Sequence, residues 1–107
     1  MFEYKATIEN VVDGDTVDAL IDLGFKVYIK QRLRLSGLDT PERGQPGYAE
    51  AKAFVTEKVL GKVVSIKTEK VSKWGYFLAE ITVDGVSLNT QLLSSGLAKA
   101  YDGGKKE

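Results

Sequence analysis

Residues 25 to 35, FKVYIKQRLRL, alternate almost without a break. Phe25, Val27, Ile29, Leu33 and Leu35 fall on one side, with Lys26, Tyr28, Lys30, Arg32 and Arg34 on the other. A two-residue period of this kind predicts a strand buried on one face. Gln31 is the one polar intruder on the apolar side. Residues 16 to 23 show the same period, with Val17, Ala19, Ile21 and Leu23 opposite Thr16, Asp18 and Asp22, and Gly24 marks the turn between the two runs. An earlier strand precedes Asp13-Gly14.

The period then changes. Residues 48 to 60 read as a helix with Ala51, Phe54, Val55 and Val59 inward and Gly61 at its end. Residues 62 to 69 and 76 to 83 return to strand patterning, the second with Phe77, Ala79, Ile81 and Val83 inside. Asp84-Gly85 is a hairpin-type turn. Ser87 is placed to cap a short helix running to Ser95 and ended by Gly96. Residues 97 to 101 suggest a last short strand, and the tail 102 to 107, DGGKKE, is expected to fray. Three strands, a helix, two strands and a short helix predict a mainly β fold. The expected form is a five-stranded barrel of the oligonucleotide-binding type, with one helix after strand 3 and a short one after strand 5. At 107 residues the whole chain is read as one domain.

Composition narrows the chemistry. The chain has no cysteine and no histidine. Disulfides, zinc thiolate centres and histidine-assisted nucleophiles are excluded. A general base must be a carboxylate, a lysine or a tyrosine. A bound metal would be held by oxygen, which favours Ca²⁺ or Mg²⁺. Fifteen acidic residues balance fifteen basic ones, so a polyanionic partner must be met by local rather than net charge. The start, MFEYKATIENVV, lacks a basic stretch followed by an apolar run. A cytoplasmic monomer without a membrane partner is the expectation.

Two stretches carry candidate chemistry. Asp13-Gly14-Asp15-Thr16 reads most plainly as a hairpin turn. Asp39-Thr40-Pro41-Glu42 reads as a turn stiffened by proline, with Arg34 on the polar strand face five residues earlier. Taken together they supply more. Asp15 and Asp39 suit a hard cation, Glu42 is able to take a proton from water, and Arg34 is able to grip a phosphate through paired donors. Those are the parts that phosphodiester hydrolysis requires.

At this point the chain resembles the staphylococcal nuclease (thermonuclease) family. The matching segments are VVDGDTV (11–17), RLSGLDTPE (34–42), AKAFVTEKVLGKVVSI (51–66), KWGYFLAEITVDGVSLN (73–89) and LLSSGLAKAY (92–101). The resemblance implies a five-stranded barrel with helices packed on it and a Ca²⁺-dependent nuclease that cuts DNA and RNA. It implies that Asp15 and Asp39 ligate calcium with help from the Thr40 carbonyl, that Glu42 is the candidate general base, and that Arg34 binds the scissile phosphate. Mg²⁺ or another hard divalent cation is an alternative metal.

One departure stands out. The family pattern places Lys-Tyr-Gly-Arg before the fifth strand, and its arginine is a second phosphate-binding cation. Here the run is Lys73-Trp74-Gly75-Tyr76. A phenol donates one hydrogen bond and brings no charge. Losing one preorganised donor costs roughly a hundred- to thousand-fold in rate. A weakened site is therefore expected, unless Arg32, Arg43, Lys70 or Lys73 replaces the missing charge. Arg32, Lys73, Trp74, Tyr76 and Tyr101 are the candidate substrate contacts, with Lys26, Lys30, Arg32 and Arg34 forming a cationic line along one strand. The alternative expectation is an inactive nucleic-acid-binding or protein-interaction module of the same fold.

Overall fold

The computed structural model describes residues 2–71 and 75–101, with backbone alone at 2, 70 and 71. Its elements in chain order are β1 (Phe2–Asp13), β2 (Thr16–Asp22), β3 (Tyr28–Leu35), β4 (Leu38–Asp39), α1 (Tyr48–Val59), β5 (Val63–Val71), β6 (Phe77–Val83), β7 (Val86–Ser87), α2 (Leu88–Ser94) and β8 (Lys99–Ala100). The expected tail at 102–107 lies outside the described residues. No helix among the described residues is long and apolar enough to cross a membrane.

β1 pairs antiparallel with both β2 and β5, β2 with β3, and β5 with β6. A parallel ladder of Leu33, Arg34 and Leu35 against Phe77, Leu78 and Ala79 then joins β3 to β6 and closes the barrel. Five strands thus enclose one core, as the alternating pattern predicts. β1 serves two neighbours at once because it bends. Its register with β2 shifts between Ile8 and Asn10 and again between Val11 and Asp13, and such bulges kink a strand and raise its twist.

The core follows the sequence phase. Ile8, Val17, Leu33, Leu35, Ile66, Ile81, Leu88 and Leu92 are fully buried. α1 adds Ala51, Val55 and Val59, spaced by four so that one stripe faces inward. Its end is fastened to β1 by Gly61 N donating to Ile8 O at 2.8 Å. α2 starts at Ser87, whose hydroxyl accepts from Thr90 N at 3.2 Å, as a capping serine does.

The strand expected over 25–35 is corrected at its first half. β3 begins at Tyr28, and Gly24 to Lys26 form a tight loop with Phe25 and Lys26 both at positive φ. Phe25 is wholly exposed, Val27 half exposed and Ile29 37% exposed, so the apolar face read there is not core. The reason is topological. β6 meets β3 only from Leu33 onward, so the β2–β3 hairpin projects past the closed part of the barrel. The same correction applies more mildly to Phe77, which is 38% exposed at the start of β6. The last strand is also shorter than expected, and its partner is β4, a two-residue strand that periodicity did not reveal.

Candidate functional site

The site grows from three chain segments that the barrel brings to one end. The first is the Gly14-Asp15 turn between β1 and β2. Gly14 has no room for a side chain: a Cβ there would lie 2.8 Å from the Ala51 Cβ and 3.1 Å from the Thr40 Oγ1. The turn is therefore pressed between α1 and the segment after β4. The second segment is the end of β3, tied to the turn by Leu35 N donating to Asp15 O at 2.9 Å. The third is β4 with Thr40.

Arg34 is the centre. It is buried, as are Asp15 and Thr40. Its Nη1 lies 2.5 Å from Asp15 Oδ2 and its Nη2 lies 3.0 Å from Asp39 Oδ1. Nη2 also donates to Leu38 O at a longer 3.4 Å. Asp15 is held in turn by the Thr40 amide donating to Oδ2 at 3.1 Å and by the Thr16 hydroxyl donating to Oδ1 at 3.0 Å. Burial is the largest influence on the Arg34 guanidinium and works against its charge. The hydrogen bonds and charges of Asp15, and then of Asp39, outweigh it, so its pKa is raised. The Thr40 Oγ1 is buried without a hydrogen-bond partner among the described residues. Tyr101 completes this cluster: its ring centre lies 6.0 Å from the Arg34 guanidinium carbon, and its amide donates to Gly37 O at 2.9 Å.

A second cluster adjoins along β3. Arg32 stands directly across from Asp18 of β2. It donates through Nε to Oδ1 at 2.7 Å and through Nη2 to Oδ2 at 3.2 Å. Asn10 Nδ2 steadies the same carboxylate at 3.3 Å. On its other side Arg32 engages Tyr76, with 5.9 Å from guanidinium carbon to ring centre. The Asp18 carboxyl is held below its ordinary value, first by the hydrogen bond from Arg32 and against the opposing effect of burial, with help from Asn10. The Arg32 pKa is raised, first by Asp18 and next by Tyr76.

Glu42 is exposed on the loop after β4. That loop folds back on itself: Glu42 N donates to Gln45 Oε1 at 2.8 Å, and Gln45 N donates to Glu42 O at 2.9 Å. Glu42 lines a cleft of about 470 Å³ together with Asp39, Thr40 and Pro41, facing Leu97, Ala98 and Lys99. The structure thus brings Asp15, Arg34, Asp39, Thr40 and Tyr101 together, pairs Arg32 with Tyr76 beside them, and leaves Glu42 on the adjoining rim. Among the described residues no three acidic side chains converge as a ready metal cage. Arg43 lies over the Tyr48 ring at the start of α1, 5.9 Å from its centre. Lys73 and Trp74 lie outside the described residues, as does the side chain of Lys70.

Sequence reasoning missed two supporting residues. Asn89 is buried on α2, where it accepts from Ile81 N at 3.1 Å and donates to Ser36 O at 2.9 Å and Ala79 O at 3.2 Å. It stitches the turn after β3 to β6. A lone amide beside Leu88 on the inward side of a short helix was the available signal. Tyr48 donates to Asp13 Oδ1 at 2.8 Å and fastens α1 to the turn that carries Asp15. An aromatic at a helix start gives no such signal.

Comparison with known proteins adds an independent line. The family model described as "Staphylococcal nuclease homologue" matches residues 32–107. Thermonuclease of Staphylococcus intermedius is 33% identical over 101 residues, covering 87% of this chain and 57% of its own. Ribonuclease TUDOR 2 of Arabidopsis thaliana is 32% identical over 108 residues, covering 94% of this chain and 10% of its own. An uncharacterized 38.1 kDa protein of Capnoides sempervirens is 28% identical over 113 residues, covering 92% of this chain. The chain spans a third of that relative's length, 33%.

Proposed function

Because the chain belongs to the staphylococcal nuclease family, we propose that it is a divalent-cation-dependent phosphodiesterase acting on DNA or RNA, with a weakened site. The observation that supports this most directly is the convergence of Asp15 and Asp39, from separate segments, on the buried Arg34. A buried ion cluster of this sort is a poor source of stability compared with apolar packing. Its presence at one end of the barrel is accounted for by chemistry.

The donors suit a hard cation in kind. Asp15 and Asp39 are oxygen donors already drawn towards one positive charge, and the Thr40 Oγ1 beside them is buried without a hydrogen-bond partner among the described residues. Asp15, Asp39 and Thr40 are the residues that would hold Ca²⁺, or Mg²⁺ in its place. The ion would supply Lewis-acid polarisation of a phosphoryl oxygen.

The chain's own groups do the rest. Arg34 presents two Nη groups in the planar fork that matches phosphate, and its bond to Leu38 O is longer than its contacts with Asp15 and Asp39. Glu42, exposed at the rim, takes a proton from the attacking water. The water oxygen then forms a bond to phosphorus as the bond to the leaving sugar oxygen breaks. That oxygen takes up a proton from solvent, leaving a phosphomonoester and an alcohol. Tyr101, flanking Arg34, offers a ring on which a base can stack. Tyr76 brings no charge to the place where the family has an arginine, a loss of roughly a hundred- to thousand-fold in turnover where no other cation stands in.

That same phenol favours a second reading, a module that holds nucleic acid without cutting it. A cleavage assay on labelled single-stranded DNA and RNA separates the two. Slow cleavage in Ca²⁺ that vanishes with chelator and in Asp39→Ala is the expected result. Silence from both wild type and Tyr76→Arg overturns the nuclease reading, and salt-sensitive binding without product would then identify the binding module.

A further inference from the structure

We propose that Arg32 supplies the second phosphate-binding cation that Tyr76 cannot. The proposal rests on the nuclease reading above and gives that site its missing charge. The parallel ladder between β3 and β6 starts at Leu33 and Phe77. Residue 32 is the next position back on β3 and residue 76 immediately precedes β6, and their side chains meet, with 5.9 Å between the Arg32 guanidinium carbon and the Tyr76 ring centre. A charge lost from the β6 side is therefore present on the β3 side of the same contact.

Arg32 is also placed to be used. It lies on the same face of β3 as Arg34, two residues away, a separation of about 6.6 Å along a strand. Arg34 is buried, whereas the Arg32 side chain is 42% exposed and reachable from solvent. Its direction is fixed from both flanks, by the two-point contact with Asp18 and by Tyr76. A guanidinium has five N–H donors. Asp18 takes one from Nε and one from Nη2, and Tyr76 engages another, so donors remain for a phosphate oxygen. Asp18 is thereby a positioning residue that keeps the fork from swinging. Arg43, by contrast, is turned over Tyr48 at the start of α1. Tyr76 in this arrangement is a platform for the relocated charge.

The competing view is that Arg32 and Asp18 form an ordinary cross-strand ion pair with no catalytic part. Cleavage kinetics on single-stranded DNA with Ca²⁺, together with substrate affinity and thermal midpoint, distinguish the two for wild type, Arg32→Ala, Arg32→Gln, Arg32→Ala with Tyr76→Arg, and Asp39→Ala. Arg32→Ala is expected to lower kcat at least a hundredfold while Kd changes by a few fold and the thermal midpoint holds. Arg32→Gln keeps the stem and a hydrogen bond to Asp18 but no charge, and falls equally, which covers the case in which the alanine variant fails to fold. Adding Tyr76→Arg to Arg32→Ala recovers at least tenfold of the loss, because either strand can bring the charge. Arg32→Ala and Arg32→Gln cleaving within threefold of wild type, while Asp39→Ala is dead, overturns the assignment and leaves the nuclease reading intact. A loss that Tyr76→Arg does not recover overturns it as well. Wild-type silence overturns the assignment of Arg32, and silence from Tyr76→Arg as well overturns the nuclease reading with it.

Discussion

Arg34 bridges two carboxylates through its two Nη atoms. Asp15 and Asp39 arrive from different segments, and the guanidinium between them offsets both. Removing it leaves buried negative charge uncompensated, a change that costs about 3–5 kcal/mol. Urea denaturation of Arg34→Ala should show a loss of that order. Ca²⁺ should raise the thermal midpoint of wild type by mass action, and that rise should be absent in Asp39→Ala. The Arg32–Asp18 pair is a different case, because it is partly exposed and screened, with a stabilising contribution of only about 0.2–1 kcal/mol. The Asp18 carboxyl is held below 3.8, chiefly by Arg32. Its folded pKa lies below the unfolded one, so its stabilisation is complete above about pH 3.8 and is lost as pH falls through the lower folded value. Replacing Asp18 by Asn flattens that acid limb in a pH series of denaturation midpoints.

The elements show what periodicity can and cannot carry. α1, α2 and the strand phases of β2 and β6 were legible because each buries one face, and a buried face writes a period into the sequence. β3 was legible only from Leu33 on. Its earlier alternation has the same period, but exposure of Phe25 and Val27 depends on where β6 begins to pair, which no local window contains. Phe25→Ser should accordingly leave stability within about 0.5 kcal/mol of wild type. Gly14 shows the reverse error. Asp-Gly reads as a turn signal, yet Gly14 is needed because Ala51 approaches it from a helix far along the chain. Gly14→Ala should cost about 1–3 kcal/mol and disturb Asp15 with it. Asn89→Ala leaves Ile81 N without its acceptor and takes a donor from Ser36 O and from Ala79 O, the latter still bonded by Ser36 N, for a loss of about 1–3 kcal/mol. The members of the site were readable as types, from the resemblance, but their meeting on Arg34 was not, because it depends on barrel closure.

At the scale of the molecule, the barrel and the site are fastened unequally. The barrel is held by the longer antiparallel ladders among β1, β2, β3, β5 and β6 and closed by the three-residue β3–β6 ladder around a continuous apolar core. The segment bearing Asp39 is held by Arg34 and Asp15 on its barrel side and, on the other, by β4 against β8, where Leu38 faces Ala100 and Asp39 faces Lys99, with Tyr101 N donating to Gly37 O. So short a clasp, drawn from residues close to the end of the described chain, opens by local unfolding at a lower free energy than the barrel does. The site can thus be lost while the fold persists. Amide exchange at Tyr101 would run ahead of exchange at Ile8, and under rising urea any function of the site would fade before the barrel's circular dichroism changed. A chain trimmed back to the end of α2 would keep a cooperative melt yet hold Asp39 beside Arg34 from the barrel side alone, without the β8 clasp.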